Sequence, residues 1–144
     1  MTTIAWDGKS LVADRQTTKG STRGTMCKIF QLNNNRFLAG AGDAVEINQV
    51  VHWMKAGGKK KMKPDIEESE FLMLDKRGKK CYFMDHRLVP MVCESFSAIG
   101  SGSDFALGAM AAGVDAERAI QIASRLDVFT GEGLDKIECK TNRR

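Results

Sequence analysis

The chain reads as an α+β protein built on antiparallel sheets, and three features predict this. β-rich runs follow one another across short turns, at Asp7-Gly8 and at Asn33-Asn34-Asn35, rather than alternating one by one with helices. Two stretches, residues 43–55 and 115–126, carry apolar side chains at helical spacing. The resulting order is strands, helix, strands, two helices, strands. Two sheets packed face to face with helices on the outside bury the apolar face of each of these elements.

Residues 2–6 (T-T-I-A-W) and 9–14 (K-S-L-V-A-D) flank Asp7-Gly8. A two-residue turn there pairs Trp6 with Lys9 and Thr2 with Ala13, which holds Asp14 close to the amino terminus. Residues 15–26 are polar and contain glycine, so they read as a loop. Residues 27–32 (C-K-I-F-Q-L) form a strand, the three asparagines a turn, and R-F-L-A-G-A-G the return. Leu32 then pairs with Arg36 and, counting outward, Lys28 pairs with Gly40, a glycine whose amide can approach a ligand closely. Val45, Ile47, Val50, Val51 and Met54 make one helix face, which Gly57-Gly58 ends. A lysine-rich connector over residues 59–64 leads to a second hairpin, E-F-L-M-L-D and K-C-Y-F-M-D across K-R-G-K. Residues 92–99 read as a strand running into Gly100-Ser101-Gly102-Ser103, and residues 104–112 as a helix rich in small side chains. Asp115 caps a further helix with Ala119, Ile120, Ile122 and Ala123 on its apolar face. Residues 127–138 read as a short closing hairpin.

With 144 residues the chain is expected to form one domain, residues 1–144, with a real core. Its 42% hydrophobic and 28% charged residues are an ordinary soluble balance. No apolar run reaches the roughly 18 residues that a membrane helix needs. No cleavable leader is recognisable, so neither secretion nor a membrane partner is expected. Cys27, Cys81, Cys93 and Cys139 are scattered without a C-x-x-C pair and only two histidines are present, so no metal site is expected. They read as reduced thiols of a cytoplasmic protein. The basic residues of the 59–63 run, Lys76, Arg77, Lys79, Lys80 and the Arg143-Arg144 end have no interleaved aromatics, so nucleic acid is not an expected partner. Gly100-Ser101-Gly102 lacks the G-K-[ST] of a phosphate loop.

The chemistry-bearing feature is Met1-Thr2-Thr3. A small residue at position 2 permits a methionine aminopeptidase to remove Met1 and expose Thr2. A terminal threonine has a hydroxyl and a free amine on one residue, and the amine can take the hydroxyl proton. An α-amino group titrates at about 7.7–8.0, close to operating pH. A retained Met1 turns that amine into an amide and removes the base. By itself the dipeptide carries little weight, and Asp14 with Lys28 could be a surface ion pair worth about 0–1 kcal/mol.

Taken together the motifs T-T-I, L-V-A-D-R-Q-T-T, C-K-I-F-Q-L, L-A-G-A-G-D-A, A-I-G-S-G-S-D-F-A and R-L-D-V-F-T-G resemble the proteasome β subunits and the bacterial proteasome-like peptidase HslV, both N-terminal nucleophile hydrolases. The resemblance implies a four-layer αββα sandwich with one helical layer shortened, since a long helix of the family has no counterpart between residues 54 and 70. It implies a threonine-type endopeptidase with Thr2 as nucleophile, Lys28 stabilising the alkoxide, Asp14 orienting Lys28 and the Gly40 amide as oxyanion donor. Ser101 would contact the terminal amine, and Asp127 and Thr130 match the family's D-x-x-S-G element. Thr17, Met26 and Leu38 fall at pocket-lining positions and imply a neutral, apolar P1 preference, while Thr18 matches the residue that pairs with an extended substrate. No cofactor is required. A homo-oligomeric ring, polypeptide substrates and an AAA+ unfoldase are the implied partners. Two other readings stand beside this one: a non-catalytic ring subunit that keeps Met1, and an amidase or acylase for small substrates on the same fold.

Overall fold

The computed structural model describes residues 2–139; Met1, on whose removal the terminal-threonine reading depends, and the Arg143-Arg144 end lie outside the described residues. Two antiparallel sheets carry the fold. The first has β1 (Thr3–Trp6), β2 (Ser10–Asp14), β10 (Ser97–Gly100) and β11 (Leu134–Glu138), in the order β10-β1-β2-β11. The second has β5 (Ile29–Gln31), β6 (Arg36–Ala41), β7 (Glu70–Asp75), β8 (Lys80–Met84) and β9 (Met91–Val92), in chain order.

Strand alternation sorts the apolar side chains into three cores. Ile4, Trp6, Leu11 and Ala13 meet Ala39, Leu72 and Leu74 between the sheets. Their neighbours Ala5 and Val12 turn the other way, onto Ala106 and Met110 of α2 (Ser103–Ala111) and Ala119 and Ile120 of α3 (Ala116–Leu126). Leu38, Phe71 and Met73 face Val50 and Val51 of α1 (Ala44–Lys55) on the opposite surface. The layers are therefore α1, sheet, sheet, then α2 with α3. The thin outer layer holds one long helix, and only a 3-10 turn at Lys60–Met62 follows it before β7.

Asp43 caps α1 by accepting from the Glu46 N–H, and Asp115 caps α3 by accepting from the Arg118 N–H. The β5–β6 register is the expected one: Ile29 faces Ala39 and Leu32 N–H donates to the Arg36 carbonyl at 2.8 Å. Four expectations are corrected. Trp6 pairs with Leu11 and Ile4 with Ala13, two residues away from the two-residue-turn register. The Asp7 carboxylate causes this, because it accepts from the Lys9, Ser10 and Ala116 N–H groups and spreads the turn over more residues. The polar stretch 15–26 is not a loop but a hairpin of β3 (Gln16–Lys19) and β4 (Thr22–Thr25), rich in β-branched threonine. Residues 92–99 are not one strand: β9 ends on the second sheet, and residues 93–96 carry the chain across to β10 in the first. Residues 127–138 are not a hairpin. Only β11 is a strand, and it adds to the free edge of β2.

Candidate active site

β1 brings Thr2 to one end of the sandwich, where it is 7% exposed and lines a cleft of about 520 Å³. β5 and β6 bring Lys28 and Gly40 to the same cleft, β3 contributes Thr17 and Thr18, and Met26 and the α1 residues Val45 and Ile47 complete an apolar wall. The ladder alternation that makes Leu32 and Arg36 a bonded pair also aims the Gly40 N–H toward β5, at the level of Lys28. A Cβ on Gly40 would stand 3.0 Å from both Ile47 and Phe71, so α1 packs this closely over β6 only because no side chain is present there.

Lys28 is 5% exposed and Asp14 wholly buried, and Lys28 Nζ donates to Asp14 Oδ1 at 2.8 Å. The pair is thus not a surface ion pair. Asp14 is held on its other lone pairs by the Thr3 N–H at 3.0 Å, the Gly131 N–H at 3.1 Å and the Gln16 N–H at 3.3 Å. Burial pulls the Lys28 ammonium below the ordinary lysine range, although Asp14 and, more weakly, Asp127 favour its charge.

Behind Thr2 lies a second network. Ser101 Oγ and Thr130 Oγ1 each donate to Asp127 Oδ2 at 2.6 Å. Thr130 spends its one proton there, so the 2.6 Å contact between Thr3 Oγ1 and Thr130 Oγ1 has Thr3 as donor. The Phe129 N–H donates to Asp127 Oδ1 at 3.2 Å. Burial works to raise the Asp127 pKa, but the Ser101, Thr130 and Phe129 donors outweigh it and hold the carboxyl below its usual value. Among the described residues every buried side-chain nitrogen and oxygen has a partner.

Two glycines let these networks close. Gly100 sits opposite Thr3 at φ +95°, and a Cβ there would overlap the Thr2 carbonyl. A Cβ on Gly102 would overlap Thr3 Oγ1 and stand 3.2 Å from Asp127 Oδ2. Leu38 is placed differently from its expected position: it is fully buried among Val50, Phe71 and Met73 beneath α1 and does not line the cleft, because it shares the α1-facing side of β6 with Gly40 but lies two residues further along the strand. Phe30 and Ile47 occupy the wall instead. Sequence reasoning missed Thr3, Gln16 and Gly131. The Thr2-Thr3 doublet was the one sequence signal near the first, and nothing in it tells that Thr3 is buried; the two backbone donors leave no side-chain signal.

No family model and no curated protein sequence matches the chain. Its four αββα layers, built on two antiparallel sheets, are the fold class that the sequence predicts, and solved structures share this fold over nearly the whole chain. The solved structures that it is similar to include Thiobacillus denitrificans BPH in complex with epoxomicin, at TM-score 0.72 and 19% identity over 97% of this chain and 99% of that one. A second structure of Thiobacillus denitrificans BPH aligns at TM-score 0.69 and 18% identity, over 98% and 99%. Eukaryotic HslV from Trypanosoma brucei aligns at TM-score 0.66 and 21% identity, over 94% and 97%. At these identities the likeness is one of fold.

Proposed function

We propose that the chain is a threonine peptidase in which Thr2, exposed by removal of Met1, is the nucleophile. The observation that carries this reading is that one cleft is lined together by Thr2, a buried Lys28 fixed by Asp14, and the backbone of Gly40. In this mechanism the Thr2 α-amine takes the proton from Thr2 Oγ as the oxygen attacks a peptide carbonyl. The Lys28 charge stabilises the developing alkoxide, and the Gly40 amide donates to the oxyanion, a contribution that typically amounts to about 10²–10³ in rate. Asp14 is a positioning residue that acts through Lys28. Ser101, Asp127 and Thr130 buttress the segment that bears Thr2 through Thr3.

β3 pairs only with β4 among the described residues, so its other edge is open for an extended polypeptide at Thr18. The Met26, Phe30 and Ile47 wall favours a neutral, apolar P1 side chain. The epoxomicin complex of the fold-level neighbour supports a peptide-like ligand. A homo-oligomeric ring fed by an AAA+ unfoldase belongs to the same proposal, as does the absence of any required cofactor. The test is hydrolysis of a peptide with an apolar P1 residue: Thr2→Ala is expected to abolish it, and full activity in that variant refutes the assignment.

A further inference from the structure

The proposed chemistry uses none of the cysteines, yet two of them face each other toward the Trp6 end of β1, away from Thr2. β8 and β9 pair with Tyr82 opposite Val92 and Phe83 opposite Met91, so one step along the ladder sets Cys81 opposite Cys93. The Cys93 N–H donates to the Cys81 carbonyl at 2.9 Å. Directly opposed residues joined in this way share a sheet face and have Cα atoms about 5.5 Å apart, within the roughly 4.4–6.8 Å that a disulfide spans. Cys81 is fully buried and Cys93 half-buried, and both line a cleft of about 450 Å³ with Trp6, Lys79, Lys80 and Phe96.

The two thiols are driven apart in acidity. The Cys93 side chain and burial push the Cys81 thiol far up. Cys93 is lowered to about 7: the Cys81 thiol opposite it is the largest cause, and the Ser97 hydroxyl and Phe83 N–H help to outweigh burial. An unperturbed thiol, at ~8.5, is only a few per cent thiolate at pH 7. The more acidic of the two thiols is thus also the less buried one, set on the cleft against a fully buried partner.

We infer that Cys93 and Cys81 form a hydroperoxide-reactive dithiol site, with Cys93 the attacking sulfur and Cys81 the resolving one. The Cys93 thiolate attacks one oxygen of a hydroperoxide and the O–O bond breaks, giving a sulfenic acid and a hydroxide or alkoxide that picks up a proton. The Cys81 sulfur then attacks the sulfenic sulfur, the S–O bond breaks, and water leaves carrying the Cys81 proton. In total the two thiols lose two electrons to the peroxide and gain one S–S bond. That bond ties β8 to β9 where the chain departs for the other sheet.

The test is to treat the full-length protein with hydrogen peroxide at neutral pH, alkylate the remaining thiols after unfolding, and map the cysteine peptides by mass. The expected product has lost two hydrogens, is linked between Cys81 and Cys93, is restored by dithiothreitol, and forms before the exposed Cys27 is oxidised. In Cys81→Ala, Cys93 is expected to stop at the sulfenic acid, one oxygen heavier and captured by a 1,3-diketone. In Cys93→Ser, which changes only the half-buried member, Cys81 is expected to stay alkylatable at the same peroxide dose. Oxidation of Cys27 or Cys139 while Cys81 and Cys93 remain alkylatable, or a Cys81–Cys139 link, overturns the inference.

Discussion

At the scale of single residues, the Lys28–Asp14 pair decides most of the electrostatics. Breaking a buried ion pair by removing one partner typically costs about 3–5 kcal/mol. Three amides continue to hold Asp14 when Lys28 is gone, so Lys28→Ala is expected at the low end, about 3 kcal/mol by denaturant titration, together with loss of hydrolysis. Asp127 adds a pH dependence. Its folded pKa is depressed below that of an unfolded-chain aspartate, so its stabilisation is fully present above ~3.9 and is lost as pH falls through the lower folded value. Asp127→Asn is therefore expected to be less stable than the wild type at neutral pH, with the gap closing as pH is taken below about 3.9. A gap that stays constant from neutral to acid pH contradicts this account of the carboxylate.

At the scale of elements, the glycines of the 100–102 turn set where β1 begins. Gly100→Ala places a methyl group in the Thr2 carbonyl and forces a side chain into a positive-φ conformation. It is expected to abolish hydrolysis while circular dichroism shows the sheets and helices intact, because the collision is confined to the end of one strand. Unchanged activity in this variant removes Gly100 from the account. The same scale shows what was legible in the sequence. Lys28 opposite Gly40 could be counted from the Asn33-Asn34-Asn35 turn, since that loop leaves Leu32 and Arg36 paired as local turn geometry dictates. The Asp7-Gly8 turn misled because the Asp7 carboxylate has a partner on α3, the Ala116 N–H, which no local rule contains. The β3–β4 hairpin was hidden by polarity: its strands lie largely outside the core, so no apolar alternation marks them. The break between β9 and β10 was hidden because both halves are β-rich, and only the two-sheet arrangement separates them.

At the scale of the whole molecule, the three cores are independent of the chemistry at Thr2. Strand alternation, the Asp115 cap and the helix faces were readable, and they suffice for the αββα layering. The site was readable in its residue types but not in its supports, since Thr3, Gln16 and Gly131 act through packing and backbone donors that become visible only when the sheets meet. The central claim is that a terminal threonine amine and hydroxyl work together in this cleft. The most direct measurement is the intact mass of the purified protein after incubation with epoxomicin, whose stable adduct requires both groups on one residue. The account predicts a species lacking Met1 and carrying one inhibitor, lost in Thr2→Ala. An unmodified mass on protein that begins at Thr2 contradicts it, and an unmodified mass with Met1 still attached shows that the chain, as made, has no N-terminal nucleophile.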